Sequence, residues 1–263
     1  MKKRFVLLFI ISLFILTACG TKSNISFKED YEKLNGKENA SGKIHREITI
    51  LDDNPMEEVS ASEIVKKIEN KETFYVYFGS SLCPWCRSVI EKAIEVANER
   101  GISKIYYVDV WDDEGNEILR DKYVLDKDNK PAVELEGTSD YKKLLEYFND
   151  LLRDYELTDS NKKVVPTGEK RIYAPNYIYV ENGVAKKLVN GKSSKLTDSR
   201  GELTKEILED QEKIFDRFYQ ADKSKDGSGL GLAITKELCR QNGWKIICEN
   251  QNHRTRFIVI FNK

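Results

Sequence analysis

The chain has no charge of one sign to spare: 43 Lys and Arg stand against 44 Asp and Glu, a formal net charge of −1. So balanced a composition gives the whole chain no electrostatic reason to seek nucleic acid or an anionic membrane surface. No nucleic-acid partner is expected. Histidine is scarce, with only His45 and His253, and there is no HxxxH pair and no second CxxC. A structural zinc needs four converging Cys or His ligands. His45, His253, Cys239 and Cys248 are too scattered to complete such a set, so no metal is expected. Long apolar runs are missing too. The apolar run at residues 5–16 falls short of the roughly 20 residues that a bilayer core requires. No internal repeat is visible. With 263 residues and 40% hydrophobic content, the chain suffices for one large domain or two modest ones.

That short apolar run follows Lys2, Lys3 and Arg4 and ends in "LTAC" at Cys19. Basic, apolar and small-residue parts in this order read as a signal peptide. The small residues before a cysteine resemble the lipobox of bacterial lipoproteins. The resemblance implies that Cys19 becomes the lipidated N-terminus of a protein anchored at the extracytoplasmic face of the cell membrane. An uncleaved anchor helix is the alternative. Outside the cytoplasm disulfides persist. With Cys19 lipidated, Cys83, Cys86, Cys239 and Cys248 remain. Residues 20–45 are polar and lack periodicity, which predicts a flexible tether.

Beyond the tether, residues 46–51 are β-like, and "SASEIVKKIEN" predicts a helix capped by Ser60 or Ser62. "TFYVYFG" predicts a buried central strand. A helix is predicted from Pro84, which suits a first turn, to Gly101, and a further strand at 104–110. Strand, helix, strand implies a parallel pair with a right-handed crossover. Residues 114–123 predict a short helix and "SDYKKLLEYFNDLLRDYEL" a firm one, capped by Ser139 or Asp140. Residues 177–180 and 184–189 predict a hairpin turned by Asn182-Gly183. Residues 204–219 look helical. The tail predicts a helix at 230–241 and strands at 244–249 and 256–261.

Cys83 and Cys86, in "SSLCPWCRS", stand at the opening of the helix that follows the central strand. A spacing of i and i+3 brings two sulfurs within disulfide reach. At a helix start, free backbone N–H groups favour the thiolate. Cys83 is the expected nucleophile, and Cys86, one turn in, the expected resolving thiol. Half a zinc site and a purely structural disulfide are the competing readings.

Here the sequence resembles the thioredoxin-like family. The strand–CxxC–helix–strand order matches, as does "YAPNYIYVENGV", with Ala174-Pro175 in the cis-proline slot that faces the CxxC. The resemblance covers residues 54–211, with a helical insertion at 111–166. It implies an α/β thioredoxin-like fold, with Pro84, Trp85, Ala174 and Pro175 bordering a substrate groove. One departure is that a buried aspartate is expected six residues before the first cysteine, where this chain has Tyr77. Tyr77 and Tyr75 read as sheet packing, and Trp85 as a substrate-facing aromatic.

A second resemblance lies at the end. "IFDRFY" matches the F box of histidine-kinase ATP-binding domains. Gly227, Gly229, Leu230 and Gly231, in "DGSGLGLAITKE", match their second glycine box. The N box, the first glycine box and a phospho-accepting histidine are not found upstream. A phosphoryl-transfer site needs magnesium ligands as well as a phosphate loop. Residues 212–263 therefore read as an α+β remnant of such a domain, joined between residues 203 and 217, with a vestigial nucleotide loop. Cys239 and Cys248 read as buried thiols, or as a disulfide pair.

The expected function is thiol–disulfide exchange on exported proteins, without a cofactor, by a membrane-anchored protein served by a membrane or extracytoplasmic redox partner. The alternative is a histidine-kinase-type ATP-binding protein, for which ATP and magnesium would be the cofactors.

Overall fold

The structure, a computed structural model, describes residues 21–39, 41–212, 239, 244–251 and 254–260. The apolar run with Cys19 and the stretch with Gly227, Gly229, Leu230 and Gly231 lie outside the described residues. The chain divides into two compact units, Met1–Phe218 and Tyr219–Lys263.

The first unit opens with helix α1 (Thr21–Glu32), strand β1 (Met56–Glu58), helix α2 (Ala61–Glu69) and strand β2 (Phe74–Gly79). A short helix α3 (Pro84–Arg87), helix α4 (Ile90–Glu99) and strand β3 (Ile105–Asp109) follow. Next come a hairpin, β4 (Lys122–Leu125) and β5 (Pro131–Leu135), helix α5 (Ser139–Phe148), and a second hairpin, β6 (Arg153–Thr158) and β7 (Val164–Arg171). Strands β8 (Asn176–Glu181) and β9 (Val184–Val189) and helix α6 (Lys205–Glu212) complete the described part.

The main sheet has the order β1-β3-β2-β8-β9. Strands β1, β3 and β2 are parallel, β8 runs antiparallel to β2, and β9 antiparallel to β8. This is the thioredoxin-like topology. Side chains alternate across a strand, and β2 divides accordingly. Phe74, Val76 and Phe78 enter a core with Ile64, Val65 and Ile68 of α2 and Leu144 and Phe148 of α5. Tyr77 enters the opposite core with Ile90, Ala93, Ile94 and Ala97 of α4. Ser60 caps α2 in a full capping box with Glu63, satisfying two otherwise unpaired donors. Asn182 and Gly183 both have positive φ at the β8–β9 turn, as a two-residue hairpin of this twist demands.

Five expectations need correction. The segment expected as a tether is instead part of the fold. Phe27 and Tyr31 of α1 are fully buried in the α4-side core, at a spacing that puts both on one helix face. His45 is buried as well. The β-like piece at 46–51 pairs with no strand. Its amides are taken by side chains: Ile48 donates to Asn35 Oδ1 (3.1 Å), Thr49 to Glu91 Oε1 (2.8 Å) and Ile50 to Glu32 Oε1 (2.7 Å). The insertion is only partly helical. It consists of two hairpins with α5 between them. Residues 114–123 form no helix because Asp112 Oδ1 accepts from the amides of Glu114 and Asn116, a local bond that competes with helix formation. Helix α5, capped by Thr138 rather than Ser139 or Asp140, stops at Phe148. A 3-10 turn at Asn149–Leu151 follows it, and residues 153–158 then pair with β7 as β6.

Within the second unit, strands β10 (Lys245–Gln251) and β11 (Arg254–Ile260) form an antiparallel hairpin in which Cys248 is opposite Phe257. Cys239 is buried and free. The predicted tail strands are therefore present, and Cys239 is the buried thiol of the first reading and not part of the alternative disulfide.

Because Phe27 of α1 is fully buried in the core, Phe27→Ala will lower stability by about 3 kcal/mol, the usual loss for a buried phenylalanine. Denaturant unfolding followed by near-UV signal reads this as a lower midpoint with unchanged slope. A tether residue would leave the midpoint where it was.

Candidate active site

The site is made where β2 runs out. Gly79 ends the strand, and Ser80 starts a tight turn in which the Leu82 amide donates to Ser80 Oγ (3.3 Å) and the Cys83 amide to the Ser80 carbonyl (3.1 Å). Cys83 then caps α3 in an extended conformation, with Pro84 in the first turn. There proline's fixed φ helps and its missing N–H is not needed. The Cys86 amide donates to Cys83 Sγ at 3.3 Å. Helix α3 lasts one turn. Ser88 Oγ donates to the Trp85 carbonyl (2.8 Å) and Val89 leaves helical geometry before α4 begins. The single helix expected from Pro84 to Gly101 is thus broken.

Cys83 and Cys86 are both free and buried, Cys83 at 3% exposure and Cys86 at 0%. Their acidities are driven apart. A hydrogen bond from the Cys86 thiol lowers the Cys83 pKa most, helped by the Cys86 and Trp85 amides and the Arg120 charge, and opposed by burial. Burial pushes the Cys86 thiol well above the usual thiol range, and the bond to Cys83 adds to this. The Cys86 and Trp85 amides at the opening of α3 act in the direction expected of a helix start. The neighbouring thiol ranks ahead of the amides.

Cys83 Sγ lies 3.7 Å from the Ala174 carbonyl oxygen, and the Ala174–Pro175 peptide is cis. The sequence-predicted residues Cys83, Pro84, Trp85, Cys86, Ala174 and Pro175 are thus brought to one place. Trp85 is half-buried rather than exposed, and the Lys192 ammonium sits 4.5 Å from its ring centre. That distance suits a cation–π contact. Burial lowers the Lys192 pKa, with Arg153 adding to this and Cys83 and Cys86 opposing it. Arg120, also buried, pairs with Glu117 and donates to the Ile172 carbonyl (3.2 Å). Neither Lys192 nor Arg120 carries a sequence signal, because each meets the thiols only through the fold.

Directly after Cys86, Arg87 is 1% exposed. Its guanidinium donates to the carbonyls of Arg46 (2.9 Å) and Tyr31 (2.7 Å) and to Asn35 Oδ1 (2.6 Å). Among the described residues, no group of three or more His, Cys, Asp or Glu is placed to hold a metal.

Comparison with known proteins gives two different answers along the chain. The model of the family "Histidine kinase-, DNA gyrase B-, and HSP90-like ATPase" matches residues 180–263. The signal transduction histidine-protein kinase ArlS of Staphylococcus haemolyticus is 47% identical over 58 residues, covering 20% of this chain and 13% of that protein. ArlS of Staphylococcus aureus strain USA300 is 45% identical over 58 residues, with the same coverage. The chain thus spans about an eighth of the length of these curated relatives. Among solved structures, thioredoxin O2 from Arabidopsis thaliana in the oxidized state aligns with 64% of this chain and 96% of its own, at 13% identity and a TM-score of 0.32. The fold assignment rests on the strand order given above. The C-terminal part is HATPase-like, and the family match reaches back into β8 and β9.

Because the Cys86 thiol is the largest influence on Cys83, Cys86→Ala should raise the Cys83 pKa. Iodoacetamide labelling against pH, read by mass spectrometry, will show wild-type Cys83 titrating below free cysteine and the variant moving up towards it. Cys86 in the reduced wild type should label only after unfolding.

Proposed function

We propose that the first unit is a thiol–disulfide oxidoreductase acting on exported proteins, held at the extracytoplasmic face of the membrane by a lipid on Cys19. The observation that carries this reading is the pair of free thiols with opposite pKa shifts at a strand–helix turn, next to the Ala174 carbonyl. The Cys83 thiolate attacks one sulfur of a substrate disulfide. A Cys83–substrate bond forms, and the other substrate sulfur leaves as a thiolate that takes up a proton. Cys86 then attacks Cys83 Sγ, closes the Cys83–Cys86 disulfide and releases the second substrate thiol. The reverse sequence oxidises a dithiol. Pro84, Trp85, Ala174 and Pro175 form the substrate-facing rim. Electrons pass to or from a membrane or extracytoplasmic redox partner, and no cofactor takes part. Among the described residues no helix is long and apolar enough to cross a membrane.

A second reading is favoured by the family match over residues 180–263 and by the ArlS likeness. In it the tail, with Gly227, Gly229, Leu230 and Gly231, binds ATP and magnesium as part of a sensor kinase. We rank it second because no N box or first glycine box is recognised upstream of the F box, and a phosphoryl-transfer site needs magnesium ligands as well as a phosphate loop. In the favoured arrangement, residues 1–19 are the signal peptide with its lipobox, the redox domain extends to 211, and 212–263 is an HATPase-like fragment with a vestigial loop.

Insulin-disulfide reduction by the purified chain should vanish in Cys83→Ser, while Cys86→Ser should accumulate a mixed disulfide on Cys83. Wild-type activity that survives Cys83→Ser would refute the redox reading. Isothermal titration with Mg-ATP should show no binding, and a saturable, magnesium-dependent isotherm would promote the second reading. Palmitate labelling in a bacterial host should be lost in Cys19→Ala, and an unlabelled wild type would remove the lipid anchor.

A further inference from the structure

Behind the resolving cysteine the sheet carries a row of phenols. Tyr107 of β3, Tyr77 of β2 and Tyr177 of β8 are register partners across three adjacent strands. Their rings stack, with Tyr77 and Tyr177 centroids 4.4 Å apart at 14° and Tyr77 and Tyr107 5.5 Å apart at 27°. All three are buried. Position 79, two residues on and on the same strand face, is glycine, and a Cβ there would overlap the Tyr77 ring and hydroxyl. Gly79 therefore lets the Tyr77 phenol lie along its own strand, towards the turn that bears the thiols. Tyr77 and Cys86 are both fully buried in the same core cluster, and the Tyr77 hydroxyl acts on the Cys86 thiol to lower its pKa against the effect of burial. It also meets the Tyr31 hydroxyl at 3.1 Å. Tyr31 is itself held in place, because Arg87 donates to its carbonyl.

We propose that Tyr77 is a catalytic residue of the resolving step: its hydroxyl, oriented by that of Tyr31, donates to the Cys86 sulfur and stabilises the thiolate that attacks the Cys83–substrate disulfide. This rests on the redox reading above. A buried thiolate needs a donor, since burial alone disfavours the charged form, and a hydrogen bond to an ionised acceptor is roughly twice as strong as a neutral one. A phenol stays neutral here. Burial raises the pKa values of Tyr31, Tyr77, Tyr107 and Tyr177 well above the usual phenol value. Tyr77 thus donates a hydrogen bond and does not remove the proton. The proton that Cys86 loses ends on the departing substrate sulfur. One S–S bond breaks, one forms, and no further oxidant is required. The groups that act on Cys86 or on the phenols beside it are Cys83 of α3, the Ser80 amide, Tyr77 of β2, Tyr31 of α1, Tyr107 of β3, Tyr177 of β8, Lys192 after β9, and Asp109 at the end of β3, which accepts from the Tyr107 hydroxyl at 2.6 Å.

The test isolates the second chemical step. The reduced full-length chain is reacted with Ellman's reagent to place 5-thio-2-nitrobenzoate on Cys83, and its release is followed by stopped-flow absorbance from pH 5 to pH 9. Tyr77→Phe should slow release about tenfold at neutral pH and move the profile up by about one unit, the equivalent of that factor. Alkylation of Cys83 should remain close to wild type. Tyr31→Phe, which keeps the Tyr77 donor but removes its orienting partner, should move the profile the same way by about threefold and serves if Tyr77→Phe does not fold. Release unchanged in both variants overturns the proposal, even if Tyr77→Phe is less stable. A shift in Tyr77→Phe alone supports Tyr77 and removes the role of Tyr31. A wild-type chain that exchanges no disulfide at all refutes the redox reading instead.

Discussion

The buried guanidinium of Arg87 is the constraint on which the rest of the first unit depends. It follows the second cysteine directly and is 1% exposed, yet its bonds go to the carbonyls of Tyr31 and Arg46 and the amide oxygen of Asn35. A cation taken out of water must have its donors satisfied. Those oxygens come from the N-terminal segment, so that segment has to wrap the α4 side of the sheet. Holding it there seats Phe27 and Tyr31 against the core and sets the Tyr31 hydroxyl against Tyr77. The thiol turn, the first helix and the phenol row are thereby tied together.

The two cysteines share a turn and behave differently because they face different surroundings. Cys83 receives amide hydrogens and the Cys86 thiol hydrogen, and feels Arg120. Cys86 is sealed by the sheet, and its largest influence is burial. The difference follows from one helical turn: the first sulfur caps the helix and the second points into the core. The position that would hold an acid in related folds holds a phenol here. A carboxylate can take a proton from a buried thiol, whereas a phenol that stays neutral can only stabilise the anion left behind.

Much of this was legible in the sequence where the signal is local. The β-branched and aromatic run of β2, the proline after Cys83, the Ser60 cap and the Asn182-Gly183 turn each specify their own backbone, and the structure has all four. The pairing of Cys83 with Ala174 followed from the family resemblance. What the sequence concealed depends on distant partners. Residues 20–45 are polar on average, and the two aromatics that anchor them, Phe27 and Tyr31, are too few to move a composition argument. They are detectable only as an i, i+4 pair. The helix expected at 114–123 lost to an aspartate side chain binding nearby amides, and the end of the helix expected after Ser139 lost to pairing with β7. Both outcomes turn on bonds that periodicity does not register.

The match to the ATPase family begins at residue 180, inside β8. Strand β8 is hydrogen-bonded to β2, the central strand that delivers the thiols, and β9 closes the sheet beyond it. Helix α6 also lies in the matched stretch, and its buried Gln211 donates to the Ser88 carbonyl beside the CxxC turn. The family match and the sheet therefore divide this molecule at different places. Residues 180–189 resemble the ATPase family and are structural members of the thioredoxin-like sheet, and a chain severed at residue 180 would leave β2 with an open edge and the thiol turn without its support.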